Sequence, residues 1–572
     1  MDNLNSKNIS KVFSWLEPFL TLLVFIGLFI VVARSVPAAP NSTDVFLYHD
    51  IGLKGIKDPF VLNRYFHIYL QRLFTSLSAT PLLGLRYFWS FLFSSTIALV
   101  YVLAHKVSGK NGPFFGALAV AFFLSTSFLT EITGIPLVDM TAMLLGMSIV
   151  TLYVYSLDEN KFQKTALILL GICMFFGFKS KETTIPISLV IIFLGWQNGK
   201  FNLATYWSKA KYVVIGVGLA IGLFGLINQI VLKDFFFGLR FTEFSSFFST
   251  YVKRAGADYS ENIYDNWVYG FWLTYALLPS VFYLLSGLWR KYKIPAEYRV
   301  LWLTPLAVTL FVIASVNNRY GINPRFILPA VPIVCALAPH IFQPDLLQDS
   351  CTSQSSMQNA LFFITSLGLA GLGVFLIVSG SYSLNFDLVR TYSTVIMPVL
   401  LIILIGFLLY SRQNLLTSIL SVSILIVILV FPASRNIKEI LRVHENSSLF
   451  EETVKPIEEF QDSISPSENM LLCVDSSVFN KRPLALAKNS DELSGLFNIV
   501  TGSDTASGNF FIDNLMETKD LLEKKDPLCT YILINSSMRD VFEKNDSFGQ
   551  KIKEYYLADL GQNDGLLLYS KR

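Results

Sequence analysis

Long apolar stretches recur along almost the whole of this chain, and they decide what it can be. A helix needs about 20 apolar residues to cross about 30 Å of hydrocarbon. About thirteen segments approach that length, at roughly 18–33, 82–104, 113–128, 140–156, 166–178, 184–198, 212–232, 269–288, 300–316, 326–342, 359–380, 394–410 and 415–433. Composition agrees. Of 572 residues, 53% are apolar and 15% charged, against roughly 25% charged in an average soluble protein, and the mean hydropathy is +0.51. There are too few polar side chains to coat a globule of this size. A single soluble enzyme, a disordered chain and a secreted disulfide scaffold are excluded, and the fold class expected is a polytopic α-helical membrane protein.

The charges divide the chain in two. Residues 434–572 hold 16 Lys and Arg against 23 Asp and Glu, a net of −7, whereas residues 1–433 hold 29 against 19, a net of +10. A membrane domain over 1–433 followed by a water-soluble, mildly acidic domain over 434–572 is expected. The cations lie scattered in short loops rather than on one face, so nucleic acid is not an expected partner. The tail reads as α/β. Met470–Val474, Tyr531–Ile534 and Leu566–Tyr569 are apolar runs of strand length, while Leu515–Lys524 and Val541–Tyr556 suit surface helices. It has no Gly-rich phosphate loop, His–Cys cluster or nucleophile elbow. Cys173 and Cys335 lie in apolar runs and Cys351 in a polar loop, leaving Cys473 and Cys529 to the tail. A disulfide between these two is permitted if the tail is extracytoplasmic, the alternative being two buried thiols.

Lys7 and Lys11 precede the first span and Val36-Pro37-Ala38-Ala39 follows it, as in a cleaved signal peptide, but the apolar stretch exceeds most such segments and an uncleaved anchor is expected. The loops at 105–112, 157–165, 199–211 and 289–299 carry 11 Lys and Arg in 41 residues, and those at 129–139, 179–183, 317–325 and 381–393 carry 5 in 38. The excess marks the first set, with the N-terminus, as cytoplasmic; an odd number of spans then puts the tail outside. The expected location is the plasma (inner) membrane. Two long outer loops, at about 34–81 and 233–268, are rich in aromatics, as in Phe60–Phe74 and Phe235–Tyr251. Their apolar residues recur every three or four positions, with Arg64, Gln71 and Arg72 on other faces, as in amphipathic interfacial helices.

Ionisable residues near membrane depth are functional candidates by default. Asp44, Asp50, Asp58, Arg64 and His67 follow the first span. Glu131 and Asp139 flank the third and fourth, Lys179, Lys181 and Glu182 join the fifth and sixth, and Arg319 and Arg325 join the ninth and tenth. All fall on the outer side. Singly each reads equally well as a solvated loop charge; as a set they do not, because the loops are too short to leave the membrane surface.

Several segments resemble the GT-C membrane glycosyltransferases. Ser42-Thr43-Asp44-Val45-Phe46-Leu47-Tyr48-His49-Asp50 is similar to the family's first-loop signature, in which an acid stands four residues before a Tyr. Tyr65–Phe74, followed by Gly84-Leu85-Arg86, resembles its interfacial helix and second span, and Asp139 its second acidic position. Phe178-Lys179-Ser180-Lys181-Glu182-Thr183 with Pro186 resembles its short Lys-Glu or Lys-Gly loop, and Pro324-Arg325-Phe326-Ile327-Leu328-Pro329-Ala330-Val331-Pro332 its Arg-Tyr-x-x-Pro-x-x-Pro element. The nearest branch is the protein O-mannosyltransferase and lipid A aminoarabinose transferase group. There are departures: Val45 follows Asp44 where the family often has Glu, position 326 is Phe rather than Tyr, and no Pro-Pro pair opens the interfacial helix.

The resemblance implies a hexosyl- or pentosyltransferase that moves a sugar from a polyprenyl-phosphate donor to an acceptor hydroxyl on a glycan, lipid or protein, with inversion. It implies Asp44 as general base and Asp139 as second acid, the two also being the candidate ligands of a divalent metal ion. Lys181 and Arg325 would meet the donor phosphate, with Lys179 and Arg319 as alternatives, and Tyr48, Asp50, Arg64, His67, Glu182 and Arg319 would support them. A carboxylate in reach of a hydroxyl can take its proton, and a departing phosphate needs cations already in place. The rival readings are a multi-span transporter of a lipid or small solute and a non-catalytic scaffold with a recruiting tail. A transporter would be expected to bury charges near the midplane with repeat symmetry, and these spans carry almost none there.

Overall fold

The computed structural model describes residues 25–34, 43–108, 135–158, 162–197, 200–243, 299–316 and 328–337, a few isolated positions near 116–124, 245 and 326, and five strands between 471 and 571. Its helices are α1 (Phe25–Arg34), α2 (Thr43–Lys54), α3 (Tyr65–Leu77), α4 (Pro81–Ser108), α5 (Val138–Leu157), α6 (Gln163–Phe178), α7 (Leu203–Leu232), α8 (Arg299–Val316) and α9 (Val331–Leu337). Between α6 and α7 run two 3-10 segments, Glu182–Thr184 and Pro186–Gly195, and a small antiparallel hairpin of β1 (Trp196–Gln197) and β2 (Lys200–Phe201). Among the described residues, three helices are long and apolar enough to cross a membrane: Pro81–Val107, Val138–Leu157 and Leu203–Leu232. They fall on expected spans at 82–104, 140–156 and 212–232. The expected spans at 269–288, 359–380, 394–410 and 415–433 lie outside the described residues, so the total of about thirteen extends beyond what is described.

Two expectations need correction. The loop expected at 199–211 is largely helix. The Asn202 side chain accepts from the backbone N–H groups of Ala204 (2.9 Å) and Thr205 (3.2 Å) and so caps α7 at its start, as an N-cap should, and Lys209 is buried on the first turns of that helix. In α3, Gln71 does not face outward. It is fully buried and donates to the Val45 carbonyl at 3.0 Å, while Leu73 and Leu77 are exposed. The buried face of α3 is mixed, with Gln71 beside Tyr65, Ile68 and Tyr69.

The bundle is closely built around α6 and α7. A Cβ on Gly216 would land on the Ile168 carbonyl, and one on Gly171 on the Val213 carbonyl, so the two backbones touch, as small residues allow between membrane helices. Gly216→Val is expected to separate them, at a cost of about 1–3 kcal/mol for overpacking, read as a lowered thermal midpoint of the detergent-solubilised protein. Above this contact a core of Tyr48, Ile51, Tyr65, Ile68, Tyr69, Val138, Phe176, Phe224 and Phe237 joins α2, α3, α5, α6 and α7 at one end of the bundle.

The tail contains a five-stranded sheet of β3 (Leu471–Asp475), β4 (Asn509–Asp513), β5 (Tyr531–Asn535), β6 (Tyr555–Leu557) and β7 (Leu566–Lys571), in the order β4-β3-β5-β7-β6. Both neighbours of β3 run parallel to it, and β7 runs antiparallel to β5 and β6. Three strands coincide with expected ones. The helix expected over Val541–Tyr556 is corrected at its end, where Tyr555 and Tyr556 belong to β6. Cys473 lies in β3, whereas Cys529 and the helix expected over Leu515–Lys524 lie outside the described residues.

Candidate functional site

Two elements bring opposite charges together inside the bundle. Helix α5 begins after Leu137 and carries Asp139 in its first turn, where the positive end of the helix dipole favours a carboxylate. Helix α6 ends at Phe178, and the chain turns sharply: the N–H groups of Ser180 and Lys181 both donate to the Gly177 carbonyl, at 3.0 and 2.9 Å. Lys181 itself is extended before the 3-10 turn at Glu182–Thr184. The result is an ion pair between Lys181 Nζ and Asp139 Oδ1, with side chains 3% and 0% exposed. The same ammonium lies 4.4 Å from the centroid of the Phe326 ring, within cation–π range.

A second pair lies beside it. Arg64 forks onto Glu182, with Nη1 to Oε2 at 2.7 Å and Nη2 to Oε1 at 3.2 Å, and Asn63 Nδ2 donates to the same carboxylate. Burial alone would raise the Glu182 pKa, but the Arg64 charge and hydrogen bonds outweigh it and hold the group at about 2. The Phe66 N–H donates to the Lys179 carbonyl at 3.2 Å, and its ring stacks on Phe176 at 4.1 Å. The start of α3 is thus stitched to the turn that carries Lys181. Lys179 faces another way, donating to the Gly238 carbonyl beside the Phe178 and Phe224 rings. Burial brings its pKa down to about 8, against the opposing pull of Glu243.

The first-loop signature forms α2. Asp44 stands half-buried in its first turn, and Tyr48 follows one helical turn later, so the two share a face. Tyr48 is buried and meets the His67 ring edge-on at 5.6 Å between centroids. His67 Nδ1 lies 2.8 Å from Thr141 Oγ1 on α5, and burial drives its pKa well down, which keeps the ring neutral at pH 7. Asp50 is 2% exposed on α2, where it pairs with Lys54 at 2.8 Å. Asp58 does sit in a turn, its N–H donating to the Tyr65 hydroxyl at 2.8 Å.

The structure therefore brings Tyr48, Arg64, His67, Asp139, Lys181 and Glu182 to one end of the bundle and leaves Asp50 in a pair of its own. Glu131, Arg319 and Arg325 lie outside the described residues. Asn63 and Thr141 were missed in the sequence, since neither carries charge nor belongs to a motif. As for a divalent metal, no group of three or more His, Cys, Asp or Glu side chains suited to holding one occurs among the described residues. Lys181 already compensates Asp139. The residues described do not fit such an ion.

No family model matches the chain, and no curated protein does. Solved structures do. The chain superposes on ArnT from Cupriavidus metallidurans bound to undecaprenyl phosphate with a TM-score of 0.51 at 12% identity, over 97% of this chain and 98% of that one. The apo state of the same protein gives 0.49, also at 12% identity, over 98% of both chains. The Archaeoglobus fulgidus oligosaccharyltransferase tethered to an acceptor peptide gives 0.41 at 10% identity, over 98% of this chain and 75% of that one.

Proposed function

We propose, from the premise that this chain has the GT-C fold, that it is an integral membrane glycosyltransferase using a polyprenyl-phosphate sugar donor. The observation that carries the reading is the placement of charge: an apolar bundle gathers the buried pair Asp139–Lys181 and the half-buried pair Arg64–Glu182 at one end. ArnT, the neighbour named above, is bound to undecaprenyl phosphate, which supports a lipid phosphate as donor here.

In this reading Asp44 takes the proton of the acceptor hydroxyl. The oxygen attacks the anomeric carbon from the face opposite the phosphate, the carbon–oxygen bond to phosphate breaks, and polyprenyl phosphate leaves with the bonding electrons. The configuration inverts. Lys181 and Arg325 meet the leaving phosphate, Lys181 as a point charge held beside Asp139 and Arg325 as a bidentate fork. Asp139 holds Lys181 in place, and Arg64 and Glu182 fix the turn that presents it. Tyr48 and His67 set α2, and with it Asp44, against α5. The transmembrane domain would cover 1–433, with the N-terminus cytoplasmic and the 434–572 domain outside.

The test is transfer itself. Protein in liposomes, given radiolabelled polyprenyl-phosphate hexoses and pentoses, is expected to move label from the lipid phase to an acceptor glycoside or to water. Label that stays on the lipid with every donor would overturn the assignment.

A further inference from the structure

Asp44 and Asp139, the two acids of the proposed reaction, stand on different helices, in the first turns of α2 and α5. A chain of buried polar groups runs between those turns through α3. Gln71 Nε2 donates at 3.0 Å to the carbonyl of Val45, the residue after Asp44. The Gln71 side chain also meets the imidazole of His67, one helical turn earlier on α3. Nδ1 of that ring lies 2.8 Å from Thr141 Oγ1. The ring also meets the Pro136 carbonyl, so His67 holds α5 on both sides of Asp139. Val45, Gln71, His67 and Thr141 are each 0% exposed. Tyr48 and Phe88 close on the ring from α2 and α4, at 5.6 and 5.3 Å between centroids.

The partners fix every donor and acceptor in this chain. A carbonyl only accepts, so Gln71 gives its Nε2 to Val45 and turns its Oε1 to the ring. Burial, helped by the Arg64 charge, drives the imidazole pKa down to about 3, while Gln71 and the Pro136 carbonyl oppose that shift as acceptors of a ring N–H. A neutral ring has one N–H and one acceptor nitrogen. With Nδ1 on Thr141, the N–H that faces those oxygens is at Nε2, and Nδ1 accepts the Thr141 hydroxyl proton; the tautomer is assigned from its partners. Removing one member leaves its neighbour buried without a partner, and the loss is felt along the chain rather than at one contact.

We propose that Gln71 and Thr141 are positioning residues which, through the His67 ring, fix the first turn of α2 against the first turn of α5 and so set how Asp44 stands toward the acceptor hydroxyl. This rests on the transferase reading above and extends the part played there by His67. Arg72 supplies the contrast. It donates to the Gly52 carbonyl at 2.6 Å, which also ties α3 to α2, but further along α2 and outside the chain.

The test reads the ring and the rate separately. The protein has five histidines, so nitrogen-15 histidine labelling in nanodiscs gives few imidazole signals, and His67→Gln assigns that of His67. The wild type is expected to show the neutral Nε2–H form at pH 7. Gln71→Met and Thr141→Val are each expected to move its ring nitrogen shifts, whereas Thr141→Ser, which keeps the hydroxyl, and Arg72→Met leave them in place. In single-turnover transfer, Gln71→Met and Thr141→Val are expected to slow the transfer step about 10-fold or more, as small misplacements of reacting groups do, with donor affinity unchanged. Thr141→Ser and Arg72→Met keep the wild-type rate. The Gln71→Met/Thr141→Val double variant is expected to lose no more than either single, since residues acting as a unit are not additive. Losses that multiply, an equal loss in Arg72→Met, or an unchanged rate per folded molecule would each overturn the proposal and leave the chain a purely structural tie. The ring signals need no turnover. An active enzyme whose His67 signal ignores Gln71→Met and Thr141→Val defeats this inference alone, whereas coupled shifts in a wild type that transfers no sugar defeat the catalytic reading.

Discussion

Asp44→Asn is expected to lose about 10²–10⁴-fold in the rate of sugar transfer, the usual effect of removing a general base, while still inserting and binding the lipid donor. The substitution is nearly isosteric, and Asp44 is half-buried in the first turn of α2 rather than locked in the core. A folding defect is therefore not expected, and the fluorescence size-exclusion profile of the variant should match the wild type. Transfer is measured by single turnover with radiolabelled donor. Retained activity in Asp44→Asn, with loss in Asp50→Asn, would move the base to Asp50. Asp50 is buried and paired with Lys54, so its variant needs the same size-exclusion control.

The second large effect concerns Asp139 and Lys181. Breaking a buried pair leaves one charge uncompensated in a low dielectric, a cost of about 3–5 kcal/mol, whereas replacing both partners by apolar residues of similar volume is often neutral or better. Lys181→Met and Asp139→Leu should each lower the thermal midpoint sharply, and the double variant should recover most of it. On the proposed function, transfer should remain lost in the double variant, because the cation assigned to the leaving phosphate is gone. Recovered stability together with recovered transfer would reduce the pair to a structural role. A double variant as unstable as the singles would show that the coupling extends further, to Phe326 or beyond.

How much of this was legible in the sequence depended on the kind of signal. Apolar length located α4 and α5 closely and the later two-thirds of α7, because a helix that crosses lipid needs that length, while the first turns of α7, with Lys209 and Lys211, read as a loop. Gln71, read on a face apart from the apolar residues of α3, is buried with Ile68 and Tyr69, because the Val45 carbonyl on a neighbouring helix gives its amide a partner that no local pattern shows. Asp139 and Lys181 were both recognised from motifs, but their pairing was not, being a contact across 42 residues that no local pattern encodes. The Arg64–Glu182 fork was hidden in the same way. In the tail, β3, β5 and β7 announced themselves as apolar runs. The short β6 lay at the end of a stretch whose polarity suits a surface helix, and strand pairing overrode that local preference.

The segment after Lys181 has a mechanical consequence. Residues Glu182–Gly195 form a short apolar helix in which Pro186–Gly195 is wound as 3-10. A 3-10 helix rises about 2.0 Å per residue, against about 1.5 Å for an α-helix. Fourteen residues wound this way reach roughly 28 Å, close to the thickness of the hydrocarbon, where the α form would stop near 21 Å. The segment is stretched like a spring whose upper end carries the Lys181–Glu182 turn. Rewinding only the ten residues from Pro186 would shorten it by about 5 Å and draw that turn toward the hairpin that follows Gly195, so the winding state of a largely apolar segment sets the spacing between hairpin and charged turn.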